Sequence, residues 1–388
     1  MSVPKHLLPT IVLSQFCCTS LWFAGNAVMN DIAEAFQLKA GALAHLTSAV
    51  QFGFIAGTLV FAFLTIADRF SPSKVFFVCA LFGATFNLGV MWQGNGLESL
   101  FLFRFLTGFC LAGIYPVGMK IAADYYQKGL GKSLGYLVGA LVLGTAFPHL
   151  LKGFTSELPW RFVLIATSCI ATIGGLLMFF LVPDGPHRKA SSQPDLTLLF
   201  KVFNKQDFRA AAFGYFGHMW ELYAFWTFVP TILLTYKMNR EGLDWNISFL
   251  SFLIIGLGGL ACIIGGYFSQ VFGAKKVATI ALLFSCICCL ISPLILNQNA
   301  PFVLLIFLIF WGLVVIADSP LFSTLVAQSA IPEHKGTALT IVNCIGFSIT
   351  IISIQLLSIL LQFISPNYVY LFLAIGPVLG LLALRSKK

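Results

Sequence analysis

Charge is what this sequence has least of. Only 10% of its 388 residues are Asp, Glu, Lys or Arg, against roughly 25% in a soluble domain. No soluble fold of this size can hide the apolar surface that remains, so that class is excluded. Acids are the scarcer sign, 14 against 23 bases. The net charge of +9 forms no basic stripe. Lys and Arg stand in ones and twos between apolar runs, which argues against nucleic acid as a partner. Histidine is scarce and dispersed, 6 residues in all, whereas a membrane enzyme would gather His, Cys or acids at one face. No Gly-x-x-x-x-Gly-Lys-Ser/Thr loop is present to couple the chain to ATP. Long polar stretches are missing too, with one exception at 184–209.

Apolar residues fill the space. They make up 59% of the chain, with 40 phenylalanines, and a chain of that kind has lipid as its main solvent. At roughly 20 residues per crossing, the length holds about twelve transmembrane helices. Gly, Pro and charge punctuation predicts them near 8–29, 43–66, 75–93, 99–122, 133–152 and 162–182, then 210–236, 247–270, 276–294, 300–327, 337–362 and 366–384. The expected fold is an all-α membrane protein of two pseudo-symmetric six-helix bundles, 1–183 and 210–388, joined by a cytoplasmic linker at 184–209. The 10 cysteines lie inside apolar runs and are read as small packing residues. Even Cys286, Cys288 and Cys289 lack companions at metal-ligand spacing, so no metal or cofactor is expected. Lys and Arg concentrate in alternate loops, and only Lys39, Lys152, Arg161, Lys237 and Arg240 fall on the other side. That bias places both termini in the cytoplasm of a bacterial inner membrane.

The halves echo one another. Leu64-Thr-Ile-Ala-Asp68-Arg69-Phe-Ser-Pro-Ser-Lys74 has a counterpart in Gly265-Gly266-Tyr-Phe-Ser-Gln270-Val-Phe-Gly273-Ala-Lys275-Lys276, and Asp124 to Lys132 is echoed by Pro332 to Gly336. Repeated halves are how many secondary transporters build a central site. At these loops the chain resembles the major facilitator superfamily over essentially its whole length. The family's Gly-x-x-x-Asp-Arg-x-Gly-Arg-Arg is kept in Asp68, Arg69 and Lys74, with Ser71 and Pro72 at altered places. In the second half Gly266, Gly273, Lys275 and Lys276 match while Gln270 replaces the acid. On the fourth helix Leu100-x-x-x-Arg104-x-x-x-Gly108-x-x-x-Ala112-Gly113 is similar to the family's arginine motif. The fifth helix carries Gly135, Gly139, Gly144 and Pro148, loosely like an exporter motif or a simple close-packing stripe. The resemblance implies a twelve-span transporter working by alternating access, with Asp68, Arg69, Lys74, Gly266, Lys275 and Lys276 bracing the inner gate. It also implies a cavity lined by helices 1, 2, 4, 5, 7, 8, 10 and 11.

Ionisable groups at membrane depth are costly and mark functional candidates. On the seventh helix His218, Glu221 and Phe225 recur at i, i+3 and i+7, on one face. Glu221 lies near mid-span, where its proton affinity depends on whether the cavity is wet or closed. It, Asp318 and His218 are the proton-coupling candidates, the alternatives being a structural carboxyl hydrogen-bonded in place or paired with His218. Asp318 shares a face with Trp311, or else satisfies backbone groups opened by Pro320. Arg104, with Tyr115 on the same face, attracts an anionic substrate, biases a nearby acid, or snorkels outward. Further polar faces join Gln15, Trp22 and Asn26 on the first helix, Gln51 and Thr58 on the second, and Asn343 and Thr350 on the eleventh. Trp220 and Tyr223 flank Glu221. The expected function is secondary transport of a small organic solute, first an anion or zwitterion, with protons as co-substrate, by a monomer in the bilayer. Export of amphipathic cations is the alternative within transport; a receptor or membrane enzyme is the alternative outside it.

Overall fold

The computed structural model describes residues 4–39, 41–126, 130–154, 158–188, 203–330 and 335–385. The chain divides into two compact units, Met1–Gln193 and Pro194–Lys388. Among the described residues every regular element is helical.

Unit 1 contains α1 (Leu7–Thr19), α2 (Ala24–Ala27), α3 (Met29–Ala35), α4 (Ala42–Phe63), α5 (Ile66–Arg69), α6 (Pro72–Gly89), α7 (Leu97–Ala112), α8 (Tyr115–Tyr125), α9 (Leu130–Phe154) and α10 (Arg161–Leu181). Unit 2 contains α11 (Gln206–Met238), α12 (Ile247–Gly256), α13 (Gly258–Phe272), α14 (Ala274–Leu296), α15 (Pro301–Ala317), α16 (Ser319–Ser329), α17 (Lys335–Leu360), α18 (Pro366–Val369), a 3-10 turn at Tyr370–Ala374 and α19 (Ile375–Leu384).

Among the described residues, ten stretches are long and apolar enough to cross a membrane. The two remaining expected spans fall short for different reasons. The first is not continuous from 8 to 29: α1 stops at Thr19, and non-helical backbone runs through 20–23 before α2. The seventh, α11, is 33 residues long, ample at 1.5 Å per residue, but the polar groups of His218, Glu221 and their aromatic neighbours dilute its hydropathy. The linker expected at 184–209 is shorter at its end, because α11 begins at Gln206; most of its length lies outside the described residues.

The packing plan repeats. In unit 1, α1 lies against α9 and α10, α4 against α7, and α6 against α10; in unit 2, α11 lies against α17 and α19, α15 against α12 and α13, and α14 against α19. The fourth and tenth spans break at related places, each just before a proline in the first turn of the next segment, Pro116 of α8 and Pro320 of α16. The proline ring removes an N–H and clashes with the preceding turn, so the straight helix stops there. Close approach is set by glycine. A Cβ on Gly53 would run into the Phe105 carbonyl, one on Gly108 into that of Val50, and one on Gly312 of α15 into that of Ile254 of α12. Outward, Phe82, Phe180, Leu294 and Phe302 are exposed, as lipid allows.

Candidate functional site

In unit 1 the polar interior is organised by Arg104. Its side chain is buried, so it does not snorkel. Nη1 donates to the Leu21 carbonyl at 3.2 Å and to Asn87 Oδ1 at 3.4 Å, and Nη2 donates to the Trp22 carbonyl at 2.5 Å. Those carbonyls belong to the non-helical stretch that interrupts the first helix. In a membrane such backbone must be satisfied internally, and charge-assisted bonds do this best. Asn87 in turn donates to the Leu164 carbonyl at 3.2 Å, Thr167 Oγ1 at 3.2 Å and Ser168 Oγ at 3.0 Å. One network thus ties α7, α6 and α10 to the break. None of the three roles expected for Arg104 from sequence named these partners: apolar neighbours in sequence conceal main-chain acceptors that only the fold supplies.

Next to the break, Asn26 donates to Thr47 Oγ1 at 2.7 Å and Trp22 packs on Phe54 with centroids 4.9 Å apart. Gln51 and Thr58 share the α4 face of Thr47 and Phe54. Gln15 lies against α8, where a Cβ on Gly118 would strike its Oε1. Gln15 and Gln51 are fully buried, yet both amide atoms of each lack a hydrogen-bond partner. An unsatisfied buried polar group costs about 1–3 kcal/mol, so native proteins keep few of them. Thr58 Oγ1, Thr145 Oγ1 and His149 Nε2 are likewise without partner. Thr145 and His149, one turn apart on α9, were missed by sequence reasoning; their i, i+4 spacing beside Pro148 was the available signal. Tyr115 is half-buried at the start of α8.

Unit 2 carries its polar groups on the face of α11 that meets α15 and α16. The expectation of a shared face holds, as a two-rung ladder. His218 Nδ1 lies 2.8 Å from Asp318 Oδ1, both side chains buried, and Trp311 Nε1 donates to Glu221 Oε1 at 2.6 Å. Phe225 completes the face against Trp311, centroids 4.6 Å apart. Glu221 Oε1 also accepts from Ser285 Oγ at 2.5 Å and Cys289 Sγ at 3.2 Å, both on α14. One oxygen therefore gathers three donors, while Oε2 has none. Glu221 does not pair with His218. Asp318 sits at the α15–α16 break, but its side chain makes no cap bond to α16; it turns to His218 instead. Asp318 Oδ2 and His218 Nε2 have no partner. Trp220 points elsewhere, donating to the Phe372 carbonyl at 3.1 Å. Tyr223 packs on Trp226 and Phe347, and Asn343 is half-buried on α17.

The predicted gate residues divide unevenly. Asp68 Oδ1 pairs with Lys120 at 2.9 Å. Arg188 donates to the Asp68 and Phe70 carbonyls and to Asp184 Oδ2, each at 2.7 Å, and Ser71 donates to Asp184 Oδ1 at 2.6 Å. Lys120, Asp184 and Arg188 were not singled out by the motif, because they come from distant segments. Among the described residues Arg69 reaches only Thr65, at 3.1 Å, and Lys74 is exposed. In unit 2, Lys275 and Lys276 are exposed, and Lys276 stands 5.8 Å from the Phe272 ring. Gly273, with φ +84, turns the chain in a conformation other residues rarely adopt, and half-buried Gly266 has open space around it. Among the described residues no cluster of His, Cys, Asp and Glu could hold a metal ion.

Comparison with known proteins agrees with this architecture. The chain is 25% identical over 197 residues to human Protein spinster homolog 3, covering 44% of this chain and 34% of that one. It is 27% identical over 109 residues to the Escherichia coli inner membrane transport protein YnfM, covering 28% and 25%. The chain thus matches about a third or less of these relatives' length. Two solved structures share the fold: a mutant of the nucleoside transporter NupG, with TM-score 0.72, 14% identity and coverage of 97% and 98%, and the proton:xylose symporter XylE, with TM-score 0.74, 13% identity and coverage of 98% and 95%. The family model of the Major Facilitator Superfamily matches residues 11–354. With a repeated helical plan, intramembrane polar networks and that match, the chain belongs to the Major Facilitator Superfamily of transporters.

Proposed function

We propose that this protein is a proton-coupled secondary transporter of a small organic solute, working by alternating access, and that the exchangeable proton resides on the His218–Asp318 pair. The observation that carries this reading is the 2.8 Å contact between two buried titratable groups that each keep an atom without a partner. Such a pair can take up a proton and release it again without dismantling other bonds. Glu221, the leading candidate from sequence, is the less suited of the two carboxyls, since three donors from α14 and α15 converge on one of its oxygens. We assign it a clamping role. One structural neighbour, XylE, is a proton:xylose symporter, which is in keeping with the same chemistry.

The protein then acts as a monomer in a bacterial inner membrane, with both termini and the 184–209 segment cytoplasmic. Asp68, Lys120, Asp184 and Arg188 brace the inner end of unit 1. The defining experiment uses proteoliposomes with an imposed pH gradient. Wild type should accumulate solute uphill. Asp318→Asn keeps the size of the side chain but cannot titrate, so it should lose accumulation and keep solute exchange. Accumulation indifferent to the gradient in wild type, or preserved in Asp318→Asn, would overturn the assignment. Efficient outside labelling of a cysteine engineered into 184–209 in intact cells would overturn the orientation.

A further inference from the structure

We infer that the solute is an uncharged molecule rich in hydroxyl or amide groups, held within unit 1 by Gln51 and Gln15; this rests on the transport reading above. The anionic alternative depends on Arg104 being available. Its guanidinium is instead engaged by the Leu21 and Trp22 carbonyls and by Asn87, and it is the one buried Lys or Arg among the described residues of unit 1. A cationic solute would need an acid in the same interior. Among the described residues of unit 1 the buried acid is Asp124, which lies instead near the C-terminal end of α8, 3.9 Å from Lys120.

What unit 1 does offer is neutral. Gln51 stands on the α4 face between Thr47, which binds Asn26, and Phe54, which packs on Trp22, so it is on the side of α4 that meets the interrupted first helix. Gln15 belongs to that helix. Each glutamine is 0% exposed and each has its amide nitrogen and oxygen without partner. Thr58 on α4, and Thr145 and His149 on α9, add polar atoms in the same condition. A carboxamide donates two hydrogen bonds and accepts through its oxygen, which matches a hydroxyl or amide group that also does both. A carboxylate could use only the donors and a quaternary ammonium neither. Sites that hydrogen-bond a solute hydroxyl reject analogues lacking it, because the protein's own polar groups are then left unpaired.

The test is binding to the purified full-length protein at one pH and with no gradient, so that it is blind to proton coupling. The probes are D-xylose and uridine as neutral solutes, benzoate as an anion and tetraphenylphosphonium as a cation. At least one neutral probe should raise the thermal midpoint by mass action, and the charged probes should not. Gln51→Leu should weaken the neutral probe at least about tenfold, Gln51→Glu should do the same, and Gln15→Leu should follow. Should Gln51→Leu fail to fold, Gln51→Asn, which keeps the amide but withdraws it by one methylene, gives the same reading. Stabilisation by a charged probe alone, no stabilisation by either neutral probe, or glutamine variants that bind like wild type would each overturn the inference. A failure here with pH-driven accumulation intact leaves the coupling assignment standing; the reverse result leaves the solute class standing.

Discussion

In unit 1 the fourth span sends a guanidinium, Arg104, to main-chain carbonyls of the first span. In unit 2 the tenth span sends a carboxyl, Asp318, to an imidazole on the seventh. The two contacts join repeat-related helices, yet one engages main-chain carbonyls and the other pairs two side chains. Unit 1's remaining polar atoms are mostly amides and hydroxyls, and unit 2's are mostly acid and imidazole. The two halves therefore share a packing plan while their polar equipment differs; on the proposed reading, one half holds the neutral solute and the other the proton.

The sharpest way to break this contrast is at Arg104. Arg104→Ala removes charged hydrogen bonds worth about 1.5–3 kcal/mol each, so we expect a loss of about 3 kcal/mol or more in thermal unfolding. Arg104→Lys should recover part of it, since a single ammonium lacks the fork that reaches both carbonyls. A well-folded Arg104→Ala that loses only anion transport would show that the arginine belongs to a substrate site. The clamp in unit 2 should cost less. Glu221→Leu strands the Ser285 and Trp311 donors and should destabilise by about 1–3 kcal/mol, whereas Glu221→Gln retains an acceptor and should still accumulate solute under a pH gradient. Loss of accumulation in a stable Glu221→Gln would move the proton from Asp318 to Glu221.

The shared packing plan makes a matched pair of tests. Gly53→Ala and Gly312→Ala each push a methyl group against a main-chain carbonyl, and overpacking of this kind costs about 1–3 kcal/mol. Parallel losses in the two variants would confirm equivalent helix crossings; a neutral Gly312→Ala would show that unit 2 is looser. Smallest of all is the Lys120–Asp68 ion pair. Lys120 and Asp68 are partly exposed, and Lys120→Ala should change stability by only about 0–1 kcal/mol.

Much of this was legible in the sequence because a membrane imposes strong periodic constraints. Span positions, the two halves and the His218, Glu221, Phe225 face follow from apolar runs and helical spacing. The break at 20–23 was hidden because every residue there suits an apolar helix; the interruption is accompanied by Arg104, about 80 residues away. For the same reason the partners of Arg104 could not be read. Main-chain carbonyls have no sequence signature. The partners of Glu221 on α14 were unreadable too, since Ser285 and Cys289 look like packing residues until the carboxyl is placed against them.

The division of labour is tested most directly by measuring solute affinity and proton movement in the same proteoliposomes for wild type, Gln51→Leu and Asp318→Asn. The account predicts that Gln51→Leu binds solute weakly but moves protons with solute in the wild-type ratio, while Asp318→Asn binds solute with wild-type affinity and moves no protons with it. Proton movement that survives in Asp318→Asn, or a proton ratio that collapses in Gln51→Leu, would contradict it.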